Sequence, residues 1–507
     1  MVARRRTRLG ALVAALTVLA AGLAPVGAAG PGECPAVVDE RSLADVGALR
    51  DWTATMAGFG LRGTGSAAHR ATVDWVERRV RRLPGMVVRS EEFPLLGWQP
   101  RRNDLAAAGG LALTGLGTLP VAGAIPYSEP GSAEGPLVYL PGAERITAGN
   151  ARGKIVLRDF PEVDRGYLAE PALERDLIDA GIAGVAGLVV VFDFPLEQVR
   201  GYWEPHPGTH FRVPGVFVGV DEGVRLKQVA AVGGAARVSV AAQRRAVTTR
   251  NLIATLPGRS AERIVFDTNT DGNTWVQDNG VAGLLALAEY FARLPARCRS
   301  RTLEFVFASA HLHRSAEGSE RRARVLDAEY DAGSVAFAFV LEHLGTREVL
   351  PVPRAGGPGR ELVHSGAAEQ AAWFAGSPRL TEAAGRALSR RELDRVTVLA
   401  GIDKPDPVRV PPQCSFGGIG SHFHRHLIPT TAMISGPWSL WAPSFGAGAI
   451  DHSRLRQQVL AAGDVVLELA TVPLAQLAGD YPEQRRARAA GAPTCSHQLP
   501  PEWAPGQ

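Results

Sequence analysis

From Asn251 onward the chain alternates short apolar runs with helical stretches, and no other feature narrows its fold so far. "RIVFDT" is followed by "VAGLLALAEYFARL" and "RTLEFVFASA" by "GSERRARVLDAEY". "SVAFAFVLEHLG" then precedes a late strand, "IPTTAMISG", and a closing helix in "DHSRLRQQVLAAGDVVLELATV". Strands this uniformly apolar are buried on both faces, and their interleaving with helices predicts an α/β fold with a mostly parallel sheet and helices on both faces. The stretch from about 351 to 412 reads as mostly polar with helical segments. Ligands of such sheets sit at the carboxyl ends of the strands, so the polar residues that end the strands are the candidate functional ones.

Two other regions differ in character. Residues 40–98 read as helix, helix, strand, with apolar residues at helical spacing in "SLADVGALRDWTATMAGF" and "SAAHRATVDWVERRVRRL", a turn at "GLRGTGS", and alternation in "GMVVRSEEFPL". Residues 100–247 are short apolar runs bounded by Gly and Pro ("GPLVYLPG", "GKIVLRDF", "AGLVVVFDF", "VPGVFVGVD", "AARVSVAA") with one helix in "LERDLIDAGIAGVA". This predicts a small β-rich domain of its own. The 507 residues, 46% hydrophobic and 21% charged, suffice for two or three such cores.

The amino terminus joins a basic segment, "MVARRRTRLG", to the apolar "ALVAALTVLAAGLAPVGAAG", which ends in small residues. It predicts a signal peptide over 1–29 and a secreted or extracytoplasmic protein. "AAAGGLALTGLGTLPVAGAIP" (106–126) is as long as a membrane span, but its Gly, Thr and Pro residues suit strands and turns. No transmembrane span is therefore expected after the signal peptide. The four cysteines, Cys34, Cys298, Cys414 and Cys495, lie too far apart for a CxxC metal site. In an exported chain they suit one or two disulfides, with Cys34–Cys495 one of the pairings open. Net charge is only +4 with no interleaving of basic and aromatic residues, so no nucleic-acid partner is expected.

The strand-end residues have metal-site chemistry. "FDTNTDGNTWVQDNG" places Asp271 and Asp278 in a strand-to-helix loop, where a metal-dependent hydrolase would also use an imidazole; position 269, where it is sought, is Asn. Asp278 could equally cap the helix that follows. Glu342 and His343 could form a surface pair at a strand end, but Glu342 follows the apolar "AFAFVL", which favours burial near the cleft. His311 and His313, spaced i, i+2, would point the same way on a strand, and imidazole suits zinc. "GSHFHRHLIP" offers His422, His424 and His426. The chain contains no HExxH, no GxSxG elbow, no P-loop and no Rossmann glycine fingerprint after a strand.

In order and spacing these segments resemble the exported co-catalytic zinc peptidases of the aminopeptidase Y and glutamate carboxypeptidase type, in which a protease-associated domain interrupts the peptidase fold. "GKIVLRDF", "DAGIAGVAGLVVV" and "VPGVFVGVDEGVRL" are similar to the protease-associated pattern. "NLIATLPG", "QDNGVAGLLALAEYF" and "RTLEFVFASA" resemble the peptidase domain. The resemblance divides the chain into the peptidase-like segments 40–98 and 250–480, the protease-associated domain 100–247, and a tail, 481–507. It implies zinc as cofactor, a peptide or protein as substrate, and an aminopeptidase-like hydrolysis of peptide bonds.

Residue by residue, the resemblance makes Asp278 the aspartate that bridges two zinc ions, Glu342 a terminal zinc carboxylate, and Asp271 the aspartate that orients the first histidine. That histidine is Asn269 here. The family's Glu-Glu pair is His311-Leu312, which puts His311 at the general-base position, and Gly420 stands where the last histidine belongs. Three expectations follow: an exopeptidase built on Asp278 and Glu342, a re-made site using His311, His313 and His422 or His424 with the same carboxylates, or a catalytically inactive pseudopeptidase that binds peptide or a partner protein.

Overall fold

The computed structural model describes residues 34–161, 169–206, 208–400 and 416–492, less the side chains of residues 315 and 316. The expected signal segment, Cys414, Cys495 and the end of the tail lie outside the described residues. Cys34 and Cys298 are both disulfide-bonded.

The main sheet has eight strands: β1 (Val87–Pro100), β2 (Ala242–Leu256), β3 (Ser260–Asn269), β4 (Arg301–Ala308), β5 (Val335–Leu341), β6 (Ala371–Ala375), β7 (Val396–Leu399) and β8 (Thr430–Ser435). Their order is β1-β2-β4-β3-β5-β8-β6-β7. The central four, β4, β3, β5 and β8, are mutually parallel. β1 and β2 add antiparallel at one edge, and β6 pairs antiparallel with β8.

Successive side chains on the central strands enter opposite cores, as period-two geometry requires. Phe266 stacks on Phe305 at 4.8 Å and on Phe339 at 6.0 Å, facing a core shared with helices α1 (Val46–Gly58), α2 (Ala67–Val80), α3 (Gly280–Arg293) and α6 (His452–Leu469). Val265, Val306, Ala338 and Val340 face a second core closed by α4 (Gly318–Tyr330) and the short helix Gly420–Arg425. The sheet is thus covered on both faces, which is why its strands read as unbroken apolar runs.

β1 and β2 form one long antiparallel ribbon, in register from Val87 opposite Thr255 to Pro100 opposite Ala242. All strands of a second eight-stranded sheet lie between them in sequence, from Gly109–Leu113 to Ala235–Val240. The chain leaves the main sheet along β1, builds the second sheet around its own core of Leu, Ile and Val, and returns along β2.

Three local expectations need correction. The stretch from 351 has one helical segment, α5 (Pro378–Arg390), but within the described residues it also holds strands that the sequence did not predict: the hairpin Arg347–Pro353/Arg360–Ala368, then β6 before α5 and β7 after it. Its strands carry polar residues on a half-exposed face, which hides their alternation. His311 and His313 are not on a strand: β4 ends at Ala308, and His311–Ala316 winds as a 3₁₀ turn after Ala310, which adopts φ 69°. Residues 106–126 open with a helical turn, Leu105–Ala108, before the short strands. No helix among the described residues is long and apolar enough to cross a membrane.

Candidate functional site

β3 has β4 on one side and β5 on the other, so the parallel strand order diverges at its carboxyl end. The loop after β3, the 3₁₀ turn after β4 and the residues after β5 meet there, as expected for a crevice at a topological switch point.

The β3 loop is fastened from within. Asn269 donates both amide hydrogens to main-chain carbonyls, to Asp271 O at 2.9 Å and Gln277 O at 3.1 Å. Asp271 accepts from Thr64 Oγ1 at 2.5 Å, from His311 N at 3.1 Å and from Leu312 N at 2.7 Å. Its carboxylate therefore anchors the turn that carries His311. Asp278 does not cap α3. Its carboxylate accepts from Arg62 Nε at 2.6 Å and from Arg62 Nη2 at 2.9 Å, with both side chains 1% exposed. Two further guanidinium hydrogens go to Gly60 O, from Nη1, and Thr274 O, from Nη2. Arg62 and Thr64 both come from "GLRGTGS", the turn between α1 and α2, so one glycine-rich loop engages both carboxylates of the β3 loop. Nothing in the sequence ties that loop to Asp278, 216 residues away.

After β5 the chain turns sharply. Glu342 is 1% exposed and accepts from Ile419 N at 2.9 Å through Oε2, while Oε1 has no partner. A Cβ on Gly418, which adopts φ 49°, would lie 2.1 Å from Glu342 Oε2, so only glycine admits the carboxylate there. His343 adopts φ 51°. In a continuing strand its ring would point away from Glu342; the left-handed turn brings the two side chains to one side. His343 Nδ1–H donates to Ser435 O at 2.7 Å, which leaves Nε2 without a proton, buried and without a partner. One ligand-type atom each of His311, Glu342 and His343 lies within 4.8 Å of the others.

Charge around this trio is unevenly placed. Burial lifts the Glu342 pKa to about 7 and lowers that of His343 to about 3. Burial also opposes a charge on His311, but the Glu317 carboxylate outweighs it and raises the pKa to about 9. Glu317 lies 3.5 Å from His311 Nδ1 and 2.7 Å from His422 Nε2. His422 also faces Glu320 through Nδ1 at 3.2 Å, and despite burial these carboxylates raise its pKa to about 9. The second sheet's segment closes over the trio: the His206 ring centroid lies 5.2 Å from that of His311 and 4.7 Å from that of Trp441. Glu170 carries both the ring of His206, at 2.7 Å, and Arg314, at 2.8 Å.

The other candidate histidines turn elsewhere. His313 Nε2 bonds Leu96 O at 2.8 Å. His424 stacks on Phe416 and bonds Tyr481 Oη through Nδ1 at 2.7 Å. The structure thus joins His311 and Glu342 to His343, places His422 one carboxylate away, and leaves Asp278 with Arg62. Glu317 and His206 carried no distinguishing signal: the first reads as the residue before α4, the second as a lone histidine in a loop. His343 was visible beside Glu342, but its left-handed backbone was not.

No family model and no curated protein matches the chain. Among solved structures it is similar to an aminopeptidase from Aneurinibacillus sp. strain AM-1, at 18% identity and TM-score 0.56, over 85% of this chain and 96% of that one. A zinc aminopeptidase from Bacillus subtilis aligns at 16% identity and TM-score 0.62, over 85% and 97% of the two chains. A peptidase M28 precursor from Shewanella amazonensis SB2B aligns at 15% identity and TM-score 0.62, over 85% and 94%. The fold is that of zinc aminopeptidases of the M28 type.

Proposed function

We propose that this chain is an exported peptidase-fold protein that binds peptide in the inherited cleft without running two-metal hydrolysis. The observation that carries this reading is the Arg62–Asp278 pair. The resemblance requires Asp278 to bridge two zinc ions, yet both of its oxygens are held by a buried guanidinium. The donor set does not fit a pair of zinc ions elsewhere either. Asn269 presents a neutral amide whose hydrogens are fixed on the main chain, Leu312 has no donor, and Gly420 has no side chain. A bridging ligand must be a deprotonated group free to face the metal, and a bound arginine excludes that by charge as well as by space.

Peptide is the ligand class of the aminopeptidases that share the fold, and Trp441, whose ring packs on His206 beside His311, has a buried Nε1 without a partner. Disulfide-bonded Cys34 and Cys298 fit export to an oxidising compartment, in keeping with the basic and apolar amino terminus. The inserted sheet is read as a protease-associated domain.

Hydrolysis of leucine p-nitroanilide in excess zinc, compared between the native protein and Asp278→Asn, tests the first half of the proposal. We expect no turnover in either; turnover that Asp278→Asn abolishes would overturn it. Titration with a pool of free tetrapeptides, followed by tryptophan fluorescence, tests the second half. Saturable change is expected, and its absence would contradict peptide binding.

A further inference from the structure

We propose that His311, Glu342 and His343 form a site for a single divalent transition-metal ion, with zinc as the ion the donor set favours. This goes beyond the peptide-binding reading and does not depend on it. Of the family's own zinc ligands the trio keeps only Glu342; it shares His311 and Glu342 with the re-made site expected from the sequence, and it is built around a residue, His343, to which neither gives a role.

Convergence is the first argument. The three side chains come from two segments at the switch point, the turn after β4 and the residues after β5, and their ligand-type atoms lie within 4.8 Å of one another. Consecutive residues leaving a strand ordinarily diverge. Here φ 51° at His343 turns both Glu342 and His343 toward His311. A left-handed conformation at a residue other than Gly costs about 1–3 kcal/mol, and such strain concentrates at ligand sites.

The second argument is the state of the donor atoms. Glu342 Oε1 and His343 Nε2 are buried without hydrogen-bond partners. Leaving a buried polar atom unmade costs about 1–3 kcal/mol, and a cation between them would satisfy both. Two of the ligands also have an outer hydrogen bond that fixes their orientation, and the third has a carboxylate 3.5 Å from its ring. Ser435 O takes the Nδ1 hydrogen of His343, Ile419 N binds Glu342 Oε2, and the Glu317 carboxylate faces Nδ1 of His311. Metal-binding imidazoles are oriented in this way by a carbonyl or carboxylate on the far nitrogen.

The third argument is donor chemistry. Two imidazoles and one carboxylate suit zinc and its neighbours rather than magnesium or calcium, which take oxygen. Three protein ligands leave at least one coordination position for an outside group.

The test is a spectroscopic titration of the chelator-stripped full chain with Co²⁺, reading its visible absorption bands, followed by competition with Zn²⁺. The native protein is expected to take up Co²⁺ saturably and release it to zinc. Glu342→Gln and His343→Asn should each weaken uptake by more than the roughly 10–100-fold that loss of an outer-sphere partner costs. Asn tolerates the left-handed backbone at 343, and a thermal melt of each variant checks its fold. His364→Ala, an imidazole outside the trio, should bind as the native protein does. Absence of saturable uptake in the native protein, or uptake undiminished in the folded Glu342→Gln/His343→Asn double variant, would overturn the inference. A second equivalent that disappears in Asp278→Asn would instead overturn the reading of the preceding subsection, and the trio would still stand or fall on His343→Asn.

Discussion

Arg62 Nε and Nη2 lie 2.6 and 2.9 Å from the two carboxylate oxygens of Asp278, and the pair is sealed from solvent. A buried ion pair of this kind is a poor source of net stability but is expensive to break from one side. Arg62→Ala should therefore destabilise the protein by about 3–5 kcal/mol, because it strands a carboxylate in the core. The double replacement Arg62→Met/Asp278→Leu should recover most of that loss. Urea denaturation of the two variants checks both outcomes. A mild effect of Arg62→Ala would mean that Asp278 has another partner, such as an ion.

The backbone at His343 makes a second prediction. His343→Asn should fold, because Asn accepts φ near 50° more readily than other non-glycine residues. His343→Val should be less stable than His343→Asn by about 1–2 kcal/mol, since its Cβ branch opposes the left-handed turn. Paired thermal melts read the difference, and equal stabilities would show that the turn does not persist in solution.

Asp327 governs the acid side of stability. Burial opposes its charge, but hydrogen bonds from His426, Arg488 and Arg485 prevail and hold its pKa below the ordinary range. A carboxylate whose folded pKa is depressed adds stability above its unfolded value, about 3.9, and loses it as pH falls further. The stability gap between native protein and Asp327→Asn should thus be full at pH 6 and shrink below about pH 4. His426, raised by Asp327 and Glu320 against the effect of burial, acts in the opposite sense, losing its contribution as pH climbs above about 6.5. Urea midpoints across pH 3–8 measure both limbs, and a gap that stays constant in acid would contradict the assignment.

The Phe266–Phe305–Phe339 stack joins β4, β3 and β5 beneath the site. Phe305, fully buried, sits beside Phe266 with the two rings nearly parallel. Phe305→Ala should cost about 3–5 kcal/mol through lost burial and the cavity left behind. Calorimetry would register it as a lower melting temperature.

The central sheet was legible because each of its strands is buried on both faces and so reads as an uninterrupted apolar run. Polar strands such as Arg360–Ala368 escaped because half-exposed positions accept any side chain. At the site, Asp278, Glu342 and His311 were legible as strand-end polar residues. Their partners were not. Arg62 lies in a turn between helices and meets Asp278 only through the fold, and His424 reads like His422 until the helix Gly420–Arg425 directs one ring to Tyr481 and the other to Glu317. Which polar side chains face each other depends on backbone turns of a single residue, at Ala310 and His343, and those leave no periodic trace.

Zinc stoichiometry by native mass spectrometry tests the central claim most directly. With Asp278 committed to Arg62, the native protein should carry no more than one zinc ion per chain even in excess metal. Two ions per chain, with one lost in Asp278→Asn, would show that the carboxylate leaves its arginine to bridge a metal pair, and would contradict the account.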